Sequence, residues 1–167
     1  MFPILLNIQL NEYDIAILNE YCKKIKPPNC YLEIGTGEGG SALIAKGSSS
    51  EPVYTIDTQD VRKIKDLGII FIQKDCSVAA KFWKKPIGLL FIDGNHKWAK
   101  QDFLDWERHV VKGGYILFHD YIKDTSGEVT VIEDLKDVVI NNQSYQNIHI
   151  PQKSDDTETR ILVVRKI

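Results

Sequence analysis

Short, nearly continuous apolar runs alternate along this chain with stretches of helical spacing. Ile15, Leu18, Cys22 and Ile25 recur at three- and four-residue intervals, the period of an amphipathic helix. Asn11 can cap this helix, with Asp14 near the reciprocal capping-box position. Pro27-Pro28 stops it, because a proline disfavours helix in the residue before it. Four apolar runs follow, Cys30 to Ile34, Val53 to Asp57, Ile69 to Ile72 and Ile87 to Ile92. Their continuity suits strands covered on both faces, as in a parallel sheet. A short helix around Ser41 to Lys46 separates the first two.

Lys97 to Val110 reads as a helix with Ala99, Phe103, Trp106 and Val110 on one side, ended by Gly113-Gly114 before a fifth strand, Tyr115 to Phe118. Glu128 to Ile140 reads as a further helix, with Val131, Leu135, Val138 and Val139 apolar. Tyr145 to Ile150 and Arg160 to Val164 read as strands. The polar linker between them, Pro151 to Thr159, is too short for a helical crossover, so these two should run antiparallel. The pattern predicts an α/β fold: a doubly wound, mostly parallel sheet of about seven strands closed by an antiparallel C-terminal hairpin.

Composition narrows the function classes. The 167 residues suit one domain, large enough to bury a core without staples. With 43% hydrophobic and 26% charged residues, a disordered chain, a collagen-like repeat and a coiled coil are excluded. A net charge of −2 supplies no basic field for nucleic acid or an anionic membrane. Lys81, Lys84 and Lys85 form a small basic cluster that reads as a solvated helix end. Cys22, Cys30 and Cys76 are odd in number and contain no C-x-x-C pair, which argues against a disulfide framework or zinc knuckle. Met1 to Leu6 lacks the basic region of a secretory signal, and no apolar run reaches the length of a bilayer span. A cytoplasmic protein is expected.

Candidate chemistry gathers at the ends of the strands, where open α/β sheets bind ligands. The first strand runs into Glu33-Ile34-Gly35-Thr36-Gly37-Glu38-Gly39-Gly40-Ser41. Gly35 and Gly37, lacking a Cβ, let the backbone turn tightly and approach a ligand. Asp57 closes the second strand, where a carboxylate can accept hydrogen bonds from both ribose hydroxyls of an adenosine group. The alternative is a glycine turn with an aspartate capping the next helix. The Gly35-x-Gly37-x-x-Gly40 spacing also fits a nicotinamide dinucleotide fingerprint. Glu33 argues against it, because its charge would repel a pyrophosphate but favour an ammonium and a sulfonium. The loop resembles the acid-x-Gly-x-Gly motif of class I S-adenosylmethionine-dependent methyltransferases. That resemblance implies contacts from Gly35, Thr36, Gly37, Gly40 and Ser41, places Glu33 near the methionine amine and Asp57 on the ribose, and brings Asp75, Cys76 and Ser77 to the adenine. Asp75 or Ser77 could equally cap a helix.

The fourth strand ends in Asp93-Gly94-Asn95-His96 and the fifth in His119-Asp120-Tyr121. One helix and its turns fill the interval, which suits a right-handed crossover between neighbouring parallel strands. Acids at adjacent strand ends can converge on one cation, and oxygen ligands suit Mg2+ or Mn2+. His96 sits where an imidazole could take a proton near neutral pH. The alternative is that the two aspartates cap helices and His96 is an exposed loop residue.

Together these stretches, over roughly residues 30 to 122, resemble the metal-dependent O-methyltransferase branch, especially the methyltransferase family 24 type that includes macrolide-sugar enzymes. The resemblance implies one methyltransferase domain over 1–167: an N-terminal segment and helix (1–28), a cofactor-binding half (29–110) and a C-terminal half with the hairpin (111–167). It makes Asp93 and Asp120 metal ligands, with Asp93 also beside the cofactor, and His96 the general base. His119 stands where an acid is usual. Strand alternation would turn it away from the ion; as a ligand it would soften the site towards manganese, iron or zinc. The implied acceptor is a small hydroxylated molecule, with sugars favoured only by resemblance; no nucleic-acid or membrane partner is expected, and exposed Phe2 and Trp83 would suit a homodimer. The alternatives are an NAD-dependent oxidoreductase and a non-catalytic adenosyl-binding module.

Overall fold

The computed structural model describes residues 8–63, 65, 67–121, 135–152 and 158–167. Helix α1 (Glu12–Cys22) begins at a complete capping box: Asn11 accepts from the Asp14 amide, and the Asp14 carboxylate accepts from the Asn11 amide. It ends three residues short of the expected Ile25. The chain continues through β1 (Cys30–Ile34), α2 (Gly40–Ser48), β2 (Val53–Asp57), β3 (Ile69–Gln73), α3 (Cys76–Phe82), β4 (Ile87–Ile92), α4 (Ala99–Trp106), β5 (Val110–Phe118), β6 (Tyr145–His149) and β7 (Leu162–Lys166).

The seven strands form one sheet in the order β3-β2-β1-β4-β5-β7-β6. Strands β1 to β5 are parallel. β7 runs antiparallel to both β5 and β6, inserting between them. The strand pattern implied a mostly parallel seven-stranded sheet closed by an antiparallel hairpin, and the resemblance implied the class I methyltransferase topology; the sheet has both features. The expected helix Glu128 to Ile140 lies partly outside the described residues, and Lys136–Ile140 forms a π-helical turn.

Alternation along the strands divides the core. Leu89 and Phe91 of β4 pack with Leu18, Tyr21 and Ala45 on the α1/α2 face. Leu90 and Ile92 pack with Ala80, Phe103 and Trp106 on the α3/α4 face. β1 and β4 are buried along their whole lengths, which is why β4 is apolar without a break and β1 is interrupted only by Glu33. The edge strand β3 is equally apolar, yet Ile70 is 44% exposed.

Two expectations fail here. Val110 does not extend a helix: α4 ends at Trp106, a 3-10 turn spans Glu107–His109, and Val110 opens β5, pairing with Ile87. A register shift beyond Ile87 accommodates the Gly113-Gly114 stretch within the strand. Trp83 is not an exposed aromatic. It is 8% exposed and packs edge-on between Tyr54 and Trp106 at 5.1 and 5.5 Å, while its neighbour Phe82 is 70% exposed. Phe2 lies outside the described residues. None of the described helices is long and apolar enough to cross a membrane.

Candidate active site

The glycine loop is shaped by its closest neighbour. Gly35 has φ +92, and a Cβ built there would lie 2.3 Å from the Asp93 carbonyl oxygen, so only glycine lets β1 and β4 end side by side. The Asp57 carboxylate holds the other side of the loop. Its Oδ2 accepts from the amides of Thr36 at 3.0 Å and Gly37 at 3.3 Å.

A cavity of about 660 Å³ opens between these ends, lined by Gly35, Gly37, Asp57, Lys74, Asp75, Cys76, Ser77, Asp93, Gly94, Asn95, Trp98 and Asp102 among others. That volume is typical of a small-molecule site. A second hollow of about 240 Å³ adjoins it, with Thr36, Gly40 and Ser41 in its wall beside Ile8, Gln9 and Leu10. Gly35, Gly37 and Asp93 belong to both. Asp75 also caps α3, its Oδ1 accepting from the Val78 amide at 3.1 Å and the Ser77 hydroxyl at 2.6 Å. The capping and lining alternatives therefore coexist in one residue. Cys76 donates to Asp102 Oδ1 at 2.8 Å, and burial pushes its thiol up to about 12, so it is no nucleophile.

Glu33 is placed differently from the resemblance. It is fully buried beneath the loop and lines neither cavity. Its carboxylate accepts from Ser41, from Thr55 at 2.7 Å and from Tyr31 at 3.4 Å. Burial, aided by the Asp93 charge, outweighs these hydrogen bonds and raises its pKa to about 8. The folded state thus holds a proton that the unfolded chain releases near its ordinary value of 4.5. Stability should fall as pH rises from about 4.5 to about 8, by at most about 1.4 kcal/mol per pH unit for this one proton. Chemical denaturation of wild type and Glu33→Gln across that range checks this: the variant should lack this group's share of the slope, and identical slopes would refute it.

Asp93 and Asp120 meet through His119. Asp120 has φ +52, a left-handed residue that ends the strand's alternation, so His119 and Asp120 converge instead of diverging. His119 Nδ1 lies 2.8 Å from Asp93 Oδ1 and 3.3 Å from Asp120 Oδ2. One ligand atom from each of the three lies within 4.8 Å of the others. His96, half-exposed at the start of the 3-10 turn His96–Trp98, places Nε2 3.2 Å from Asp120 Oδ2. That hydrogen bond outweighs partial burial and raises the His96 pKa.

Two residues at this cluster were not read from the sequence as site residues. Asp14 Oδ2 lies 3.3 Å from His119 Nε2, and Arg160 Nη1 lies 2.9 Å from Asp120 Oδ1. Burial would raise Asp14, but hydrogen bonds from His119, Thr159 and the amides of Arg160 and Asn11 bring it down to about 2. Burial would likewise lower His119, but hydrogen bonds to Asp120, Asp14 and Asp93 raise it to about 11. Asp120 is held far below the carboxylate range despite its burial, by His119, His96 and Arg160. The sequence did carry a signal for Asp14. It shares the buried stripe of α1 with Leu18, Tyr21 and Cys22, an acid in line with core positions.

A family model described as a methyltransferase domain matches residues 32–121, which include the glycine loop, Asp57, Asp93, His96 and Asp120. Among solved structures, the chain is similar to the O-methyltransferase from Bacillus cereus in complex with SAH, at 12% identity and TM-score 0.74, covering 98% of this chain and 84% of that one. It is similar to cofactor-bound Rv0187 from MTB at 15% identity and TM-score 0.75, covering 98% and 84%. It is similar to an rRNA methylase from Streptococcus thermophilus at 14% identity and TM-score 0.70, covering 92% and 96%. At these identities the structural matches establish the fold. With the family match spanning more than half of its length, the chain belongs to the methyltransferase-domain family, as a class I S-adenosylmethionine-dependent enzyme.

Proposed function

We propose that this protein transfers the methyl group of S-adenosylmethionine to an oxygen of a small hydroxylated acceptor, with a sugar hydroxyl as the favoured kind. The observation that carries this reading is the opening of Asp57, Asp75 and Asp93 into one cavity, with Asp93 joined through His119 to Asp120 and so to His96. S-adenosylmethionine, when bound, supplies a methyl group on a positively charged sulfur. The donor set around the larger cavity fits it. Asp57 faces the place of a ribose while bracing the loop, the segment Asp75 to Ser77 borders a base, and Trp98 offers an aromatic wall. Gly35 and Gly37 admit the ligand close to the backbone.

The acceptor end lies around Asp93, His96, His119 and Asp120. With its Nε2 proton committed to Asp120, His96 has Nδ1 left to take the acceptor's hydroxyl proton. Asp120 then stabilises the imidazolium that forms. The Asp93, His119 and Asp120 donors fit a divalent cation, which when bound would orient the acceptor oxygen and lower its pKa. Ile8 and Leu10 give the smaller hollow beside Asp93 an aliphatic wall.

Titration calorimetry with S-adenosylhomocysteine, NAD and purified Asp57→Ala tests the reading. S-adenosylhomocysteine should bind, and Asp57→Ala should weaken it at least about tenfold, the value of one charge-assisted hydrogen bond. Binding of NAD in its place would return the oxidoreductase alternative. Cofactor binding without methyl transfer to any hydroxylated acceptor would leave an adenosyl-binding module.

A further inference from the structure

We propose that Asp14 is the positioning residue that fixes the tautomer of His119, so that Asp93, His119 and Asp120 form a mixed oxygen–nitrogen site selective for a transition-series cation over Mg2+. Three elements distant in sequence supply this arrangement. Asp14 comes from the first turn of α1, Asp93 from the end of β4, and His119 and Asp120 from the end of β5. Asp14 is fully buried, and His119 is 2% exposed, so neither carboxylate nor ring can turn out to water.

The geometry decides which nitrogen does what. Asp14 Oδ2 lies 3.3 Å from His119 Nε2 and also 3.3 Å from Arg160 Nη2, which is itself 3.4 Å from Nε2 and shares that carboxylate with it. Nδ1 faces the carboxylates of Asp93 and Asp120 and Nε2 faces that of Asp14, so without a cation both ring nitrogens hold protons. A cation between Asp93 and Asp120 would take the place of the Nδ1 proton, while Asp14 keeps the one on Nε2, so that Nδ1 becomes the ligating atom. Asp14 itself is held in place from behind: Oδ1 accepts from Thr159 at 2.8 Å and from the Arg160 amide at 2.7 Å, and the Asn11 amide donates to Oδ2 at 3.1 Å. A carboxylate on the outer nitrogen of a ligating histidine fixes ring orientation and raises its basicity. An imidazole beside two carboxylates shifts preference from Mg2+ towards Mn2+, Fe2+, Co2+ and Zn2+.

The proposal deepens the reading of this site as a methyltransferase centre, but its test needs neither cofactor nor acceptor, so the two can fail separately. Purified protein is titrated with Mn2+, in competition with Mg2+, and Mn2+-loaded protein is examined by electron spin-echo spectroscopy for a directly bound nitrogen. Wild type should bind Mn2+ in preference to Mg2+ and show imidazole nitrogen coupling. Asp14→Asn should weaken Mn2+ binding about 10- to 100-fold with altered nitrogen coupling. Thr159→Val, which removes one support of Asp14 but leaves its contact with His119, should lower stability and keep the wild-type nitrogen signal. Should Asp14→Asn fail to fold, nitrogen NMR of Zn2+-loaded wild type gives the tautomer directly, with the proton expected on Nε2. A missing nitrogen coupling, equal affinity for Mg2+, unchanged Mn2+ binding in a folded Asp14→Asn, or a proton on Nδ1 would each overturn it.

Discussion

His96→Ala is expected to lower turnover by about 10²- to 10⁴-fold, the usual contribution of a positioned general base, while leaving cofactor affinity unchanged. The separation of the two effects follows from position. His96 does not line the larger cavity, which the adenosyl group would fill. It stands on the short turn that leaves β4, where Asn95 caps the turn by accepting from the Lys97 amide at 3.1 Å. Its Nε2 is tied to Asp120, so the ring is oriented without contributing to the cofactor pocket. The same bond predicts the pH profile. Only neutral His96 can accept a proton, and Asp120 raises its pKa above 6.5. The kcat/KM of wild type should therefore climb with pH through a midpoint above 6.5, and the alanine variant should lack that limb. Near-normal turnover in His96→Ala would remove it from the mechanism.

What the sequence made legible was what depends on local pattern. Continuous apolar runs located the strands because the central ones are covered on both faces, and the capping box of Asn11 and Asp14 set the start of α1. Features decided by long-range contact were not legible. Ile70 and Leu90 sit in similar apolar runs, yet one lies on an edge strand at 44% exposure and the other in the centre. The insertion of β7 between β5 and β6 has no signature in either strand. At the site, Asp57 and Asp93 follow from the positions of strand ends. His119 keeps the strand's alternation, on the side of Leu117 and Phe91; it is Asp120 that turns, through its one positive φ, to meet it, and strand alternation cannot foresee that. Glu33 shows the opposite limit: a motif acid was assigned to a ligand, but Ser41, Thr55 and Tyr31 already satisfy it within the protein.

Gly35→Ala is expected to be the most damaging single-atom-scale change in the glycine loop, and a short series isolates the reason. The added Cβ would sit 2.3 Å from the Asp93 carbonyl oxygen, 2.7 Å from its carbon and 2.8 Å from Gly94 Cα. All three are backbone atoms, so no side chain can swing away. Relief requires β1 and β4 to part where the Asp93 amide donates to the Ile34 carbonyl at 2.9 Å. Overpacking of this kind costs about 1–3 kcal/mol or more, and the positive φ adds about 1–2 kcal/mol, against a typical domain stability of about 5–15 kcal/mol. Gly37→Ala separates the two contributions. Its φ is +48 but nothing lies within 4 Å of its Cβ, so only the conformational cost of about 1–2 kcal/mol applies. Gly47→Ala, in α2 with nothing within 4 Å and no positive φ, should gain about 0.5–1 kcal/mol from helix propensity. Urea unfolding of the three variants should rank them Gly47→Ala, wild type, Gly37→Ala and Gly35→Ala in falling stability. Because the displaced atoms belong to Asp93 and Gly94, Gly35→Ala should also lose cofactor binding in any fraction that folds. A Gly35→Ala protein as stable as Gly37→Ala would mean that the two strand ends do not touch, and the shared wall of the two cavities would go with that contact.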